Sequence, residues 1–338
     1  MKYKLLGKTG LKVSELCLGT MTFGGRGTWT AIGALPQDEV NDLVKESVDA
    51  GINFIDTANV YSEGLSEKMT GQAIRDLGLK RDDLVIATKV RAKMGEGPNN
   101  SGLSRKHILQ QADESLTRLN MDYIDLYQIH GFDPLTPFEE TLEALDLLVK
   151  SGKVRYIGCS NLAAWQVMKA LGISEREHLS RFISLQAYYT IVGRDLEREI
   201  VPMLLDQGMG LMVWSPLAGG LLSGKYTRNN VEKGEGRRAS FDFPPVNKEK
   251  AFDIIDLMQK IGKDKKVSVS QIALSWLLHQ NAVTSVIIGA KKQDQLTDNL
   301  NSVNVKLSED ELRSLNEISR PAPEYPGWML ERQSADRR

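Results

Sequence analysis

The chain has 338 residues, of which 41% are hydrophobic and 26% are charged, and its formal net charge is −1. This balance of charges gives no electrostatic support for binding nucleic acid or an anionic membrane. No apolar run reaches the roughly 18 residues of a membrane-spanning helix, and the N-terminal residues lack the apolar core of a signal peptide. We therefore expect a cytoplasmic protein.

The cysteines and histidines do not predict a metal site. Cys17 and Cys159 lie inside apolar, strand-like runs, so we interpret them as buried thiols rather than as a disulfide or a metal pair. None of the four histidines has a cysteine or histidine partner at ligand spacing.

Predicted strands and helices alternate along the chain. Residues 3–13 predict a hairpin, and Gly51 is expected to end the helix that begins at Asp38. The following predicted strands cover residues 13–20, 54–56, 84–89, 123–130, 154–161, 182–189, 209–217 and 285–290. Predicted helices cover residues 38–50, 66–76, 104–119, 137–150, 163–171, 197–207, 248–261, 270–278 and 293–300, with one more after a capping box at Ser308 and Glu311. Residues 321–338 form a charged, proline-rich tail.

Eight strands that alternate with helices predict a parallel sheet with helical crossovers. Eight such units at this length favour an α/β fold of the (β/α)8 TIM-barrel class, as a single domain over residues 1–338, against an open doubly wound sheet. The open sheet is also disfavoured because residues 19–24, after the first strand, do not match the G-x-G-x-x-G pattern of dinucleotide-binding sheets. We expect the hairpin to cross the N-terminal ends of the barrel strands, opposite the active site.

Three of the predicted strands end in a polar residue that can carry chemistry. Asp56, Lys89 and His130 each close an apolar run, and the gaps between them are each about one strand–helix–strand unit long. Neighbouring strands lie about 4.8 Å apart, so Asp56 and Lys89 could pair, with His130 and the nearby Tyr61 facing the same cavity. Taken singly, each residue could equally be a satisfied buried polar group.

Several short segments of the sequence occur in a distinctive order and spacing: Leu18 to Met21, Asp56-Thr57-Ala58 with Tyr61, Ala87 to Lys89, Gln128 to His130, Ile157 to Asn161, Gln186, Trp214 to Leu217, and residues 289–299. With these segments the sequence resembles the aldo-keto reductases over essentially its whole length. At Gln295 it departs from many members, which have an arginine there, and is similar to the branch related to potassium-channel beta subunits.

The chemistry of carbonyl reduction gives each of the four polar residues a role. Tyr61 would donate the proton, although a phenol with a pKa near 10 is a weak acid at neutral pH. An ammonium at Lys89 would lower that pKa, and Asp56 would keep Lys89 protonated. His130, expected to be neutral, would hydrogen-bond the substrate oxygen. The resemblance implies the same roles.

The four residues supply no hydride, so a cofactor is required. The resemblance implies NADP(H), with NAD(H) bound more weakly, and Lys291 as the ligand of the 2′-phosphate at a helix N-terminus. Without the resemblance, Trp214 could be an aromatic core residue, 217–225 a surface loop, and Lys291 a solvated lysine. The expected cofactor contacts are Gly19, Thr20, Met21, Asp56, Ser160, Asn161, Gln186, Trp214, Ser215, Pro216, Leu217, Gly219, Leu221, Lys225, Gly289, Ala290, Lys291, Gln295, Asp298 and Asn299.

The expected function is reversible reduction of small aldehydes or ketones, with the substrate and the oligomeric state left open. A redox-sensing regulatory subunit with poor turnover is the alternative, and a lyase or isomerase that uses Lys89 as a Schiff base is a third reading. Asp56 disfavours the third, because it keeps Lys89 protonated. The expected substrate pocket is apolar and lies in the loops at the strand C-terminal ends: Met21, Phe23, Trp29, Phe132 and Trp328.

Overall fold

The computed structural model describes residues 1–226, 228 and 242–335, and within them eight parallel strands close into a barrel. The barrel runs in chain order from the third strand to the tenth, and the tenth pairs with the third, which confirms the predicted (β/α)8 class. The strands are β1 Tyr3–Leu5, β2 Lys12–Ser14, β3 Leu16–Gly19, β4 Phe54–Asp56, β5 Val85–Val90, β6 Ile124–Ile129, β7 Val154–Ser160, β8 Phe182–Tyr188, β9 Gly210–Trp214 and β10 Val283–Ile288.

The predicted hairpin forms from β1 and β2, which pair antiparallel. The backbone N–H of Lys8 donates to the carbonyl of Gly208 at 2.8 Å, just before β9 begins, so the hairpin covers the N-terminal end of the barrel as expected. The prediction of a single strand over residues 13–20 is wrong in one respect. Two strands occupy this range, since β2 ends at Ser14 and β3 begins at Leu16. Glu15 hydrogen-bonds back to Lys2 through its backbone and side chain, and the chain changes partner there.

Helices separate the barrel strands and surround them. Their predicted order is correct, but the first begins at Gln37 after Pro36, and the sixth begins at Ile200, which puts Pro202 in its first turn, where proline is tolerated. The tail contains a helix that the sequence did not predict. The helices are α1 Gln37–Asp49, α2 Leu65–Asp76, α3 Arg105–Leu119, α4 Phe138–Lys150, α5 Ala164–Arg176, α6 Ile200–Gln207, α7 Lys248–Lys265, α8 Val269–Leu278, α9 Gln293–Leu300, α10 Glu309–Ile318 and α11 Gly327–Ala335.

Alternation along the strands decides which side chains enter the barrel. Phe54 and Ala87 pack in the cluster inside the barrel, whereas Ile55 and Ile86 pack in the layer between strands and helices. Since side chains two residues apart on a strand share a face, Asp56 and Lys89 also point inward, one level above Phe54 and Ala87. No helix among the described residues is long and apolar enough to cross a membrane.

Candidate active site

The C-terminal rim of the barrel brings together the three predicted strand-end residues and Tyr61. Asp56 is the last residue of β4, Lys89 lies in β5, and His130 directly follows β6. Tyr61 begins a short 3-10 turn between β4 and α2. Tyr61 is 9% exposed, Asp56 is 2% exposed and Lys89 is fully buried, so the charges of this site are largely removed from water.

Lys89 forms a buried ion pair with Asp56. Its ammonium also donates to the carbonyl oxygen of Thr57 at 2.9 Å and to the hydroxyl of Tyr61 at 3.4 Å. Burial lowers the pKa of Lys89, but the charges of Asp56 and Tyr61 and their hydrogen bonds outweigh it, so the net shift is upward. Lys89 is therefore a protonated neighbour of the Tyr61 hydroxyl.

The second oxygen of Asp56 accepts hydrogen bonds from two amides. Gln128 Nε2 donates at 3.1 Å and Gln186 Nε2 at 2.9 Å. Sequence reasoning assigned no role to Gln128, although it lies two residues before His130 and so shares its inward face. A Cβ at Gly158 would lie 3.2 Å from Gln128 Cγ, so the glycine leaves room for this amide. Asp56 is thus held from three strands.

His130 lies beside Tyr61 with its ring partly open to the cavity. The two ring centroids are 5.9 Å apart and the planes meet at 74°. Burial, followed by the charges of Lys89 and Arg91, lowers the pKa of His130 to about 3. The imidazole is therefore neutral at physiological pH and can donate one hydrogen bond and accept another.

The turn that carries Tyr61 uses a backbone conformation that is rare for side chains. Ser62 and Glu63 have φ values of 49° and 57°, and the Ser62 hydroxyl donates to the carbonyl of Phe23 at 2.9 Å. The ring of Trp29 lies 5.3 Å from that of Tyr61. The loop after β3 therefore holds the turn in place, which is how strained backbone persists at functional sites.

A cavity of about 870 Å³ opens from Tyr61 and His130 along the rim to the start of α9. It is within the usual range for small-molecule sites, about 300–1,000 Å³. No group of three or more His, Cys, Asp or Glu side chains in the described part of the chain is placed to hold a metal ion.

The sequence was also compared with those of known proteins and protein families. Residues 15–320 match the Aldo/keto reductase family. The chain belongs to this family. It is 38% identical to the oxidoreductase YrpG of Bacillus subtilis over 94% of this chain and 96% of that protein. It is 37% identical to a probable voltage-gated potassium channel subunit beta of Oryza sativa, over 90% and 92% of the two chains, and 35% identical to versiconal hemiacetal acetate reductase of Aspergillus parasiticus, over 97% and 99%.

Most of the residues predicted for the site of this aldo/keto reductase line the cavity. Lys89 lies behind them and reaches the site through Tyr61 and Asp56. The predicted residues in the cavity wall are Gly19, Thr20, Met21, Trp29, Asp56, Tyr61, His130, Ser160, Asn161, Gln186, Trp214, Ser215, Pro216, Leu217, Gly219, Lys225, Gly289, Ala290, Lys291, Gln295, Asp298 and Asn299.

Four of the predicted cofactor and substrate contacts do not line the described cavity. Phe23 and Leu221 are fully buried in the hydrophobic core. The ring of Phe132 lies 5.7 Å from Phe138, and that of Trp328 lies 6.0 Å from Tyr325, so each packs within its own segment. Residues in loops and in the tail do not follow the alternation of a strand, so the sequence does not predict which way their side chains point.

The cavity also contains residues that the sequence did not indicate. Gly220 and Ser223 fall within the glycine-rich segment 217–225 and could have been included on that ground. Phe243 lies between β9 and α7, in a segment of which residues 227 and 229–241 lie outside the described residues. Its ring is stacked on the indole of Trp214, at 6.0 Å and 11°. No sequence pattern pointed to that contact.

Asn161 organises the end of the cavity nearest Tyr61. It has a φ of 56°, and its side-chain nitrogen donates to the carbonyl of His130 at 3.1 Å. Its side-chain oxygen accepts from the indole nitrogen of Trp214 at 3.0 Å. Next to it, the Ser160 hydroxyl donates to the carbonyl of Gln186 at 2.9 Å. These contacts fix the direction of the Trp214 indole and of the Asn161 amide at this end of the cavity.

Proposed function

We propose that this protein is an NADPH-dependent reductase of aldehyde and ketone carbonyls in which Tyr61 is the general acid. The observation that carries the proposal is the hydroxyl of Tyr61 at 3.4 Å from the buried ammonium of Lys89, at the wall of a cavity that also contains His130. The membership of the aldo/keto reductase family and the reductase and oxidoreductase names of its relatives support it.

The charges of the site favour release of the Tyr61 proton. The ammonium of Lys89 stabilises the phenolate that remains when Tyr61 gives its proton to the carbonyl oxygen. Asp56 keeps that ammonium in place and is itself held by two amides. His130 donates a hydrogen bond to the same carbonyl oxygen and orients it toward Tyr61. In the oxidative direction the phenolate accepts the proton from the alcohol.

The residues in the cavity wall fit a nicotinamide dinucleotide, which supplies the hydride when bound. At one end, Trp214 offers an aromatic face, with Ser160, Asn161 and Gln186 as polar neighbours. In the middle, Gly219 and Gly220 have φ values of 65° and 94°, which let the backbone approach a diphosphate, and Lys225 adds a positive charge.

The other end of the cavity fits the adenosine and its 2′-phosphate. Lys291 lies in the wall two residues before α9 begins, where a helix N-terminus favours anions. The side chain of Gln295 accepts from the backbone N–H of Lys291 at 3.1 Å, so it shapes this turn. The carboxylate of Asp298 accepts from Ser268 and Gln271, both at 2.8 Å, which leaves Asn299 as the better partner for a base.

The relatives named as potassium channel subunits favour one other candidate, a cofactor-binding regulatory subunit with poor turnover. The assembly of Asp56, Tyr61, Lys89 and His130 at one site supports catalysis instead. A Schiff-base reaction at Lys89 has less support, because its pKa is raised and the amine stays protonated.

A screen of NADPH oxidation with aldehydes, quinones, ketosteroids and sugars tests the proposal. We expect substrate-dependent oxidation of NADPH by the wild-type protein and its loss in Tyr61→Phe. Tight binding of NADPH without turnover of any carbonyl compound would instead favour the regulatory subunit. In a parallel sample, trapping of a Lys89 adduct with borohydride would support the Schiff-base reaction.

A further inference from the structure

Arg91 lies at the rim of the barrel, directly after β5 and two residues beyond Lys89. Its Nε donates to the carbonyl oxygen of Phe132 at 2.8 Å, and its own carbonyl accepts from the backbone of Gly102 at 2.8 Å. A Cβ added at Gly131 would lie 3.5 Å from Arg91 Cδ, so the side chain passes over the residue that follows His130. One edge of the guanidinium is thus fixed beside the site.

The other edge of the guanidinium faces solvent. Arg91 is exposed, and its two terminal amino groups make no hydrogen bond within the part of the chain that the structure describes. The nearby carboxylate of Asp133 already accepts from Thr136 and from the backbone of Leu103 and Leu135. No carboxylate of the described residues forms an ion pair with Arg91.

The charge of Arg91 reaches the site electrostatically. After burial and the charge of Lys89, it is a further cause of the lowered pKa of His130. The two neighbouring lysines are neutralised, since Lys89 pairs with Asp56 and Lys93 pairs with Glu96 at 2.8 Å. Asp133 is the described carboxylate whose charge acts on Arg91, but it does not form an ion pair with it. A cation without a direct ion pair at the edge of a cleft raises the local concentration of anions.

We propose that Arg91 binds an anionic group of the carbonyl substrate, a carboxylate or a phosphate, and so makes this enzyme selective for anionic aldehydes or ketones. The inference rests on the proposed function, because the carbonyl itself must lie beside Tyr61 and His130. A guanidinium presents its donors in a planar fork that matches a carboxylate or phosphate. Arg91 lies outside the cavity wall, so the anionic group must be several bonds from the carbonyl.

The test compares two aldehydes of nearly equal shape, 4-carboxybenzaldehyde and its methyl ester, in the NADPH-loaded protein. We expect Arg91→Ala to lower kcat/KM for the carboxylate about threefold to tenfold, the range for a partly exposed charge pair, and to leave the ester unchanged. Arg91→Lys should fall between, because it keeps the charge without the fork. The effect should shrink as salt is added. Lys93→Ala, which removes a paired cation nearby, is the matched control and should change neither substrate.

An equal change for both aldehydes in Arg91→Ala, or no change for either, would overturn the proposal. Calorimetric titration of the NADP-loaded protein with 4-(hydroxymethyl)benzoate and its methyl ester separates this result from failure of the proposed function. If neither aldehyde is reduced but the carboxylate binds and Arg91→Ala removes that binding, the anion site stands without the reductase. If Arg91→Ala binds the carboxylate as tightly as the wild type, Arg91 is not the anion site. Inorganic phosphate is then added as a competitor of the carboxylate. Displacement of the carboxylate would mean that the site also accepts phosphate, and no displacement would mean that it selects carboxylates.

Discussion

Asp56 is the residue on which the charges of the site depend. One of its oxygens pairs with Lys89, and the other accepts hydrogen bonds from Gln128 and Gln186. Removing one partner of a buried ion pair typically costs about 3–5 kcal/mol, because the other charge stays buried. The pair is therefore costly to disturb, so a variant of either partner must be shown to fold before its activity is compared.

Tyr61→Phe removes only the hydroxyl and keeps the ring that packs against Trp29 and His130. We expect carbonyl reduction to fall by about 10²–10⁴-fold, the usual contribution of a general acid. Affinity for NADPH should stay unchanged, because the predicted cofactor contacts lie elsewhere in the cavity. Steady-state kinetics and fluorescence titration of NADPH measure the two effects, and turnover near the wild-type rate would remove Tyr61 as the acid.

Lys89→Met removes the ammonium that lies 3.4 Å from the Tyr61 hydroxyl. The phenol then becomes a weaker acid, so we expect slower reduction and a pH–rate profile displaced to higher pH. Circular dichroism must show that the variant folds, since Asp56 loses its buried partner. A folded variant with the wild-type profile would show that Lys89 does not set the acidity of Tyr61.

His130 should make the protein less stable in weak acid. Its pKa is about 3 in the folded protein and about 6.5 in an unfolded chain, so below pH 6.5 the unfolded state binds the proton first and stability falls. Between pH 7 and pH 5 we expect the wild type to lose about 1 kcal/mol more than His130→Gln, a partial effect because the ring is partly open to the cavity. Urea unfolding at both pH values measures the difference. Equal losses would mean that His130 titrates normally.

At the scale of elements, the strand ends could be predicted from the sequence and the loops could not. Asp56, Lys89 and His130 end apolar runs, and strand alternation fixes the direction of a side chain once the run is recognised. The same alternation also predicts that Gln128, two residues before His130, points into the barrel, but the sequence analysis gave it no role. Phe23 and Trp328 lie in segments without a repeating pattern, where tertiary packing alone decides whether an aromatic side chain faces the core, the cavity or its own neighbours.

The packing of α2 against α3 depends on Gly71. A Cβ there would lie 2.0 Å from the backbone oxygen of Leu119, which a neighbouring side chain cannot relieve by moving. We expect Gly71→Ala to destabilise the protein by about 1–3 kcal/mol, the usual cost of overpacking. In α5, a Cβ at Gly172 meets nothing within 4 Å, so Gly172→Ala should instead stabilise by up to about 1 kcal/mol. Urea unfolding measures both. Equal effects would mean that the contact with Leu119 relaxes without cost.

The cavity runs across the molecule from Tyr61 to the start of α9, and a lysine lines its wall at the α9 end. Lys291 lines this end, whereas Lys292 does not. We expect Lys291→Ala to weaken NADPH binding about 10-fold or more, since a charged hydrogen bond contributes about 1.5–3 kcal/mol, and to leave NADH nearly unchanged. Lys292→Ala is the matched control. Fluorescence quenching of Trp214 by each cofactor measures the affinities, and an equal loss for both cofactors would assign Lys291 to the shared diphosphate.

The reaction that we propose at the site of Tyr61 and His130 is hydride transfer to a carbonyl carbon. The most direct measurement is mass spectrometry of the alcohol formed from an unlabelled aldehyde and NADPH carrying deuterium at C4 of the nicotinamide. The proposed reaction predicts one deuterium on the carbinol carbon from one of the two C4 positions, and no labelled alcohol with Tyr61→Phe at matched times. Oxidation of NADPH without deuterium in the alcohol, or equal labelling by Tyr61→Phe, would contradict it.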